Sequence, residues 1–448
     1  MSFTLFIVYI LCTYLRPFEM FAPELNVYRP MFILLGLAMT TSIARALSDK
    51  QVAAQRVHFG LLGLLVATIG LSQVANQWAG GALAAIGDFS ASAVLMLLCF
   101  LNLTSLRRLQ ITCVAILCSV VALAALGTYS FHTGYMANEL VLKQSAIDDN
   151  GNNAPDLAEA SEIPAQDKSG RYFLRLRSLG FLNDPNDFAQ VMVMVLPLLW
   201  WVAQPGRWLR NLFVVGVPGA VLGYAIYLTQ SRGALLGVGA LLVLLMHRVL
   251  GTIKTGLLAA SALIALGAIS IGGRTLSTNE ESAAQRIEAW YEGWKMLRSK
   301  PLFGVGYGNF VDHHYLTAHN SFVLCFAELG LIGYFAWLGL IVLTFQGLNR
   351  AVRFAPEGSP ERTLAVLLRA AVTAYLACAW FLSRSYQPGL YVVLSLGIAS
   401  WFCTRRLMTP EQLRPPVEPI PWARATLMAV VLTISGVYMF IVAQRAGA

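Results

Sequence analysis

The sequence is poor in charged residues. Only 12% of its 448 residues are Asp, Glu, Lys or Arg, whereas an average soluble domain carries roughly 25%. Hydrophobic residues make up 57% of the chain, and the mean hydropathy is +0.62. This shortage of charge excludes an ordinary soluble domain and indicates a polytopic membrane protein.

The polar connections of the chain lack cysteine. All seven cysteines lie in apolar runs, and none falls where an oxidising compartment could form a disulfide. We therefore predict that every cysteine is a free, buried thiol. The seven are Cys12, Cys99, Cys113, Cys118, Cys325, Cys378 and Cys403.

Two further signals are missing. The first run, MSFTLFIVYILCTYL, has no basic n-region and no small-residue cleavage site after it, so we expect a retained span rather than a cleaved signal peptide. The soluble segments have no basic run with interleaved aromatics, so the net charge of +9 does not indicate nucleic acid. The basic residues of short loops instead determine the topology.

Long apolar runs are abundant, and crossing a bilayer as a helix takes about 17 to 25 such residues. The pattern predicts an all-α polytopic bundle of about 12 to 13 spans. Asp88 lies within one of them and would need a partner or an aqueous cavity. The predicted spans cover 1–15, 31–47, 58–77, 80–104, 110–130, 187–203, 211–229, 232–250, 252–271, 320–345, 364–383, 386–404 and 425–443.

Lys and Arg residues fall in alternate connections, and such residues are retained on the cytoplasmic side. This bias predicts a cytoplasmic N-terminus and places two long polar connections on the far side of the membrane. The resulting segments are N-terminal helices over 1–130, a first outer loop over 131–186, central helices over 187–271, a second outer loop over 272–319 and C-terminal helices over 320–448.

The first outer loop combines an acidic stretch with an arginine cluster. Ser145 to Gly170 is acidic and contains Pro and Gly, which predicts a flexible segment. Three arginines and the turn sequence NDPN follow it. Positive charge is disfavoured on this side, so a bound anion such as phosphate is one explanation, and solvation or lipid headgroups are the other. The candidates are Arg171, Arg175, Arg177 and Asn186.

Two more arginines lie at the membrane mouth. Arg232, in YLTQSRGALLG, occupies a turn of a few residues between apolar runs. An ionisable residue held there predicts a functional role, and the alternative is snorkelling to the interface. Arg384, in FLSRSYQPG, holds a similar outer position.

The second outer loop begins with a pattern typical of an amphipathic interfacial helix. Ile287, Trp290, Tyr291, Trp294 and Leu297 recur at helical spacing, with charged residues on the other faces. Proline then ends the helix, and the glycines of GVGYG allow tight turns. No strand precedes these glycines, so a dinucleotide loop is not indicated.

Three histidines follow the glycines, at His313, His314 and His319. A metal site is one interpretation, but adjacent histidines are hard to direct at one ion, so no metal or other cofactor is predicted. His319, beside Asn320 and directly before a span, suits proton transfer near neutral pH. The alternative is a hydrogen-bonded interfacial histidine.

Four stretches together resemble the bacterial O-antigen ligase and O-antigen polymerase superfamily. They are SLGFLNDPNDFA, TQSRG, QRIEAWYEGWKMLRSKPLFGVGYGNF and AHNSFVLCFAELGLIG, and the resemblance is strongest over 171–345. It implies a multi-span C-type glycosyltransferase in the bacterial inner membrane, acting on the periplasmic face. It also implies catalytic roles for Arg232, Arg286 and His319.

The reaction implied is transfer of a glycan from a polyprenyl (undecaprenyl) diphosphate to an acceptor hydroxyl, without metal and with inversion. Arg232 and Arg286 would converge on the diphosphate, and His319 would be the general base. The other candidates, including Arg384 and Asn320, would bind substrate. The acceptor stays open between a lipid A core, another lipid-linked chain and a protein hydroxyl. A lipid-linked glycan transporter is the alternative from another class.

Overall fold

The computed structural model describes residues 1–46, 49, 52, 54–145, 172–244, 251, 281–409 and 420–446. Within these residues the chain is an all-α polytopic membrane protein, as the sequence predicts, with one small β-hairpin. The predicted span at 252–271 and nearly all of the acidic segment 145–170 lie outside the described residues.

The predicted spans coincide with helices wherever the chain is described. The main helices are α1 Ser2–Leu15, α2 Pro30–Ala46, α3 Arg56–Ala75, α4 Gly81–Asn102, α5 Leu106–Thr133, α6 Pro185–Val195, α7 Trp208–Leu228, α8 Arg232–Leu244, α9 Glu281–Ser299, α10 Ser321–Phe354, α11 Pro360–Ala379, α12 Pro388–Arg405 and α13 Trp422–Ala446. The two strands are β1 Val141–Ser145 and β2 Tyr172–Leu176.

Seven helices of the described chain are long and apolar enough to cross a membrane, namely α3, α4, α5, α7, α10, α11 and α13. Three apolar helices are shorter, namely α1, α2 and α8. The predicted span 187–203 changes character within its length: α6 ends at Val195, and a 3-10 helix continues over Leu196–Val202. Pro197 has no amide hydrogen to donate to an α-helical hydrogen bond. The total of 12 to 13 spans stays a prediction.

The chain divides into two compact units. Unit 1 comprises Met1–Thr40, Gln110–Leu276 and Thr373–Cys378, and unit 2 comprises Thr41–Leu109, Ser277–Val372 and Ala379–Ala448. Unit 1 contains the arginine cluster of the first outer loop and Arg232. Unit 2 contains Arg286, His319, Asn320 and Arg384.

Unit 1 contains the hairpin that the helical prediction missed. Strands β1 and β2 pair antiparallel, with Val141 opposite Leu176 and Ser145 opposite Tyr172. Val141 and Leu174 form a buried cluster with Ala137, and Phe131 packs against this cluster. Pairing between segments this far apart in sequence is set by tertiary contacts, so local periodicity gives little sign of it. The hairpin brings together the two ends of the acidic segment.

Unit 2 is built around the long helix α10, which packs against α3, α9, α12 and α13. Its helical geometry is interrupted at Gly330, where φ is 63° and ψ is −165°. A Cβ atom there would lie 2.5 Å from the carbonyl carbon of Leu302. Only glycine suits both this backbone conformation and this close approach. The break separates residues 321–329, which follow the predicted catalytic histidine, from the rest of α10.

All seven cysteines are free, as predicted. Five of them are buried, but Cys118 is exposed and Cys12 is partly exposed. The prediction of burial is therefore wrong at Cys118. That residue lies on an outer face of α5, where an apolar side chain in a membrane helix can face lipid instead of protein.

Candidate functional site

Arg175 ties three segments of unit 1 together. It lies on β2, donates from Nε to the carbonyl oxygen of Thr229 at 2.9 Å, and donates from Nη2 to Oδ1 of Asn186 at 3.0 Å. Asn186 is at the start of α6, and Thr229 begins the TQSRG turn. Two predicted substrate-binding residues thus contact each other directly. Because at least two guanidinium N–H groups are directed at protein acceptors, the geometry favours bracing of the turn.

The TQSRG turn has a defined backbone conformation. Gln230 adopts a positive φ of 52°, and its Nε2 donates to the carbonyl oxygen of Leu174 on β2 at 3.3 Å. The hydroxyl of Ser231 accepts from the amide of Ala234 at 3.3 Å, which caps the start of α8. Arg232 is the first residue of α8 and is half-buried. Its backbone position is therefore fixed by a cap and by the strand beside the turn.

Arg177, another arginine of the cluster, also contacts the protein. Arg177 follows β2 and donates from Nη2 to the carbonyl oxygen of Asn138 at 2.8 Å. Burial lowers the pKa of Arg177, and the nearby negative charge of Glu139 opposes this effect. Like Arg175, Arg177 is directed at the protein backbone. Arg171 lies outside the described residues.

In unit 2, the segment Gly304 to Gly308, called the glycine segment below, is hydrogen-bonded to α10 around its break at Gly330. The amides of Val305 and Gly306 donate to the carbonyl oxygens of Ala327 and Glu328, both at 3.0 Å. The amide of Leu331 donates to the carbonyl oxygen of Pro301 at 2.8 Å. These bonds satisfy backbone groups around Gly330 that an unbroken helix would have paired internally.

The end of α3 holds the same segment from its other side. Gln73 donates from Nε2 to the carbonyl oxygen of Tyr307 at 2.6 Å, and Ser72 accepts from the amide of Tyr307 at 3.1 Å. Asn76 donates from Nδ2 to the carbonyl oxygen of Gly304 at 3.0 Å. Sequence reasoning missed these residues. Polar side chains at the end of an otherwise apolar span were the available signal.

His319 and Asn320 lie at the start of α10. His319 is half-buried and adopts a positive φ of 46°, a conformation that is uncommon for residues other than glycine. Asn320 is fully buried, and its Oδ1 accepts from the amides of Phe322 and Val323 at 2.8 Å and 3.1 Å. The cap fixes the helix start, so the histidine is held in a strained conformation of the kind found at functional sites.

Helix α9 is joined to this histidine segment. Trp290 donates from Nε1 to the carbonyl oxygen of Ala318, the residue before His319, at 2.9 Å. A Cβ atom at Gly293 would lie 2.6 Å from Cγ1 of Val323, so α9 approaches α10 very closely. Arg286 precedes Trp290 by four residues and therefore lies on the same side of α9, at the edge of the apolar stripe and not on an opposite face as the sequence pattern predicts. The structure thus brings the helix face of Arg286 to the segment of His319.

The Arg384 segment also meets the start of α10. The amide of Arg384 donates to the hydroxyl of Ser321 at 2.9 Å. Ser385 donates its hydroxyl to the carbonyl oxygen of Ser321 at 2.6 Å, and Thr317 donates to the hydroxyl of Ser383 at 2.8 Å. The loop from 382 to 387 therefore contacts the residues on both sides of His319 and Asn320.

The other two histidines of the second outer loop, His313 and His314, have backbone partners. Nδ1 of His313 lies 3.0 Å from the carbonyl oxygen of Asn309, and Nδ1 of His314 lies 3.0 Å from that of Leu316. No cluster of three or more His, Cys, Asp or Glu side chains that could hold a metal ion occurs in the described ranges. The contacts of these two histidines are thus local, with backbone groups two to four residues away.

Two acidic residues differ in their surroundings. Asp88, on α4, is exposed. Glu328, which sequence reasoning missed, is buried on α10, and its Oε1 accepts from the amide of Phe310 at 3.3 Å. Glu328 therefore joins the glycine segment through its side chain as well as through its backbone. An acid inside an apolar run was the signal for it.

In unit 2, hydrogen bonds join the segments that carry three candidate groups. Trp290 on the helix of Arg286 donates to Ala318 beside His319, and Asn320 caps the start of α10, where the helix dipole is positive. Unit 1 separately presents Arg232 on a braced turn. The expectation that Arg232 and Arg286 act on one diphosphate stays a prediction.

Comparison with known proteins identifies one family. Residues 218–338 match the model of a family described as O-antigen ligase. The match contains Arg232, Arg286, His319 and Asn320, but it excludes Arg175, Arg177, Asn186, Arg384 and α13. No curated protein matches the chain.

Proposed function

We propose that this chain, whose residues 218–338 carry the domain of the O-antigen ligase and polymerase superfamily, is a ligase that moves a glycan from a polyprenyl diphosphate to an acceptor hydroxyl. The observation that carries the proposal is the contact between Trp290 and Ala318. Through this contact, the helix of Arg286 adjoins the strained histidine at the start of α10.

The chemistry of this transfer suits these groups. Breaking the bond between the sugar and the diphosphate leaves negative charge on the leaving group, which preorganised cations stabilise. In this proposal the guanidinium group of Arg286 binds the diphosphate, because a guanidinium fork matches phosphate oxygens. Direct displacement at the anomeric carbon then inverts its configuration.

His319 acts on the acceptor in this proposal. As the acceptor oxygen attacks, its hydroxyl must lose a proton, and a neutral imidazole can accept it. The proton passes from acceptor oxygen to His319, and the bonding electrons of the sugar-phosphate bond leave with the diphosphate.

In this proposal, the distribution of basic residues determines which side of the membrane carries the candidate site. Alternation of basic loops places the second outer loop in the periplasm of a bacterial inner membrane. Helices α3 and α11 end, and α4, α10 and α12 begin, at the loops 76–80, 300–319 and 380–387 of unit 2. The donor's polyprenyl tail would occupy the surrounding bilayer, as would other membrane lipids.

Variants of the two unit 2 residues test the proposal. We expect His319→Ala to lower acceptor-dependent transfer by about 100-fold or more, because it removes the general base. Arg286→Ala should lower it by about 100-fold, because one charge-stabilising donor is lost. Transfer is measured as glycan-modified acceptor formed by purified protein supplied with a polyprenyl diphosphate-linked glycan.

The matched control is His313→Ala, which removes an exposed histidine from the same loop. It should retain transfer within about twofold. Wild-type rates in His319→Ala and Arg286→Ala, with normal membrane insertion, would contradict the assignment.

A further inference from the structure

Helix α13 lies outside the matched family region, and it packs onto the helix that carries Arg286. It also packs along α10, where Thr433 Oγ1 lies 2.7 Å from the hydroxyl of Tyr334. Near the other end of α13, Trp422 contacts Phe335 with ring centroids 6.1 Å apart. These contacts attach α13 along the part of α10 that follows the break at Gly330.

The C-terminal part of α13 makes three side-chain contacts with α9. Phe440 packs against Trp290 with ring centroids 5.5 Å apart, and Tyr438 packs against Trp294 at 4.9 Å. The guanidinium carbon of Arg445 lies 3.5 Å from the ring centroid of Tyr291, a close cation–π contact. Aromatic pairs and cation–π contacts have preferred geometries, so they orient a helix as well as hold it.

Trp290 connects these contacts to the candidate site. Its ring meets Phe440 on α13 and also Trp380 after α11, at 6.1 Å. Its indole nitrogen donates to the carbonyl oxygen of Ala318. A shift of Trp290 would therefore move the residue before His319, and a rotation of α9 would redirect Arg286.

We propose that α13 is a positioning element, whose residues Tyr438, Phe440 and Arg445 fix the orientation of α9 and thereby place Arg286 and His319 for transfer. This inference rests on the proposed function. It assigns no contact with substrate to α13. Its residues act through Trp290, Tyr291 and Trp294.

The proposal predicts a specific kinetic change. The triple variant Tyr438→Ala, Phe440→Ala and Arg445→Gln should lower kcat by about tenfold or more, because a displacement of about 1 Å at a reacting group can cost about 100-fold in rate. The KM for the acceptor should change far less, since α13 does not touch it. Arg445→Gln alone should give a smaller fall in kcat, and Arg445→Lys should restore much of it by keeping a cation over Tyr291.

A second measurement does not depend on activity. Backbone amide hydrogen exchange of residues 285–299 should be faster in the triple variant, because loss of these contacts favours local opening of α9. The control is Met439→Ala, which changes an exposed side chain between Tyr438 and Phe440 and should match wild type in both assays.

The outcomes separate the two proposals. Faster exchange together with a lower kcat supports the positioning role. An unchanged kcat in a triple variant whose wild type transfers glycan overturns it while leaving the proposed function in place. A folded wild type without transfer overturns the proposed function, and unchanged exchange in the triple variant overturns the docking of α9 by α13.

Discussion

At the residue scale, the structure shows that Arg175, an arginine predicted to bind substrate, contacts the protein itself. Arg175 lies in the arginine cluster that the sequence predicts to bind an anion. Its Nε and Nη2 nevertheless donate to the carbonyl oxygen of Thr229 and to Oδ1 of Asn186. The sequence shows the charge but not the acceptors, because the acceptors lie in segments 11 and 54 residues away. Its role is therefore better described as holding the TQSRG turn in place.

This role can be tested with a variant of Arg175 that keeps the positive charge but lacks the planar guanidinium. We expect Arg175→Lys to lower transfer by about tenfold, because a lysine ammonium cannot span the two acceptors as a planar guanidinium does. Transfer rates of the purified variants provide the measurement. If Arg175→Lys matches wild type while Arg175→Gln is inactive, the charge itself is required and the bracing role is wrong.

Some residues of the candidate site could be selected from the sequence, and others could not. His319, Asn320 and Arg286 stand in dense motifs, so local sequence was enough to select them as candidates, and their roles stay predictions. Gln73, Ser72 and Asn76 were missed because they contact residues more than 220 positions away. Glu328 was missed because its apolar neighbours hide it in hydropathy.

At the element scale, composition predicts helices reliably but does not predict their breaks. The run from 321 to 354 has continuous apolar character, and nothing in its periodicity indicates that α10 is interrupted at Gly330. The interruption depends on backbone pairing with Pro301 to Gly306, which is a tertiary contact. The β-hairpin was missed for the same reason, since its two strands are separated by the acidic segment.

The break in α10 predicts a large difference between two glycines. Gly330→Ala should lower the free energy of unfolding by about 2 kcal/mol or more, because alanine is strained at φ 63° and its Cβ would meet Leu302. Thermal unfolding of the protein in detergent measures this effect as a lower midpoint.

Gly436→Ala provides the comparison. Gly436 lies within α13, and an added Cβ there meets no atom within 4 Å. That variant should be neutral or more stable by up to about 1 kcal/mol, because alanine favours helix. Equal midpoints for the two variants would mean that the break in α10 is not a fixed feature of the fold.

At the scale of the whole molecule, the chain combines a membrane bundle with two groups of candidate side chains, one in each unit. Unit 2 contains an imidazole, an arginine-bearing helix and a helix start that are joined by hydrogen bonds. A transporter typically has ionisable groups near the bilayer midplane and paired broken helices. The described chain instead concentrates the linked groups of unit 2 at one end of its helices, which favours an enzyme.

The most direct test of the central claim is the release of polyprenyl diphosphate by the purified protein in detergent, where no second compartment exists for transport. We predict that release requires an acceptor, that one diphosphate is released for each glycan bond formed, and that His319→Ala lowers the release by about 100-fold or more. Folded protein that binds the lipid-linked glycan but releases no diphosphate with any acceptor would contradict glycan transfer and indicate transport of the lipid-linked glycan.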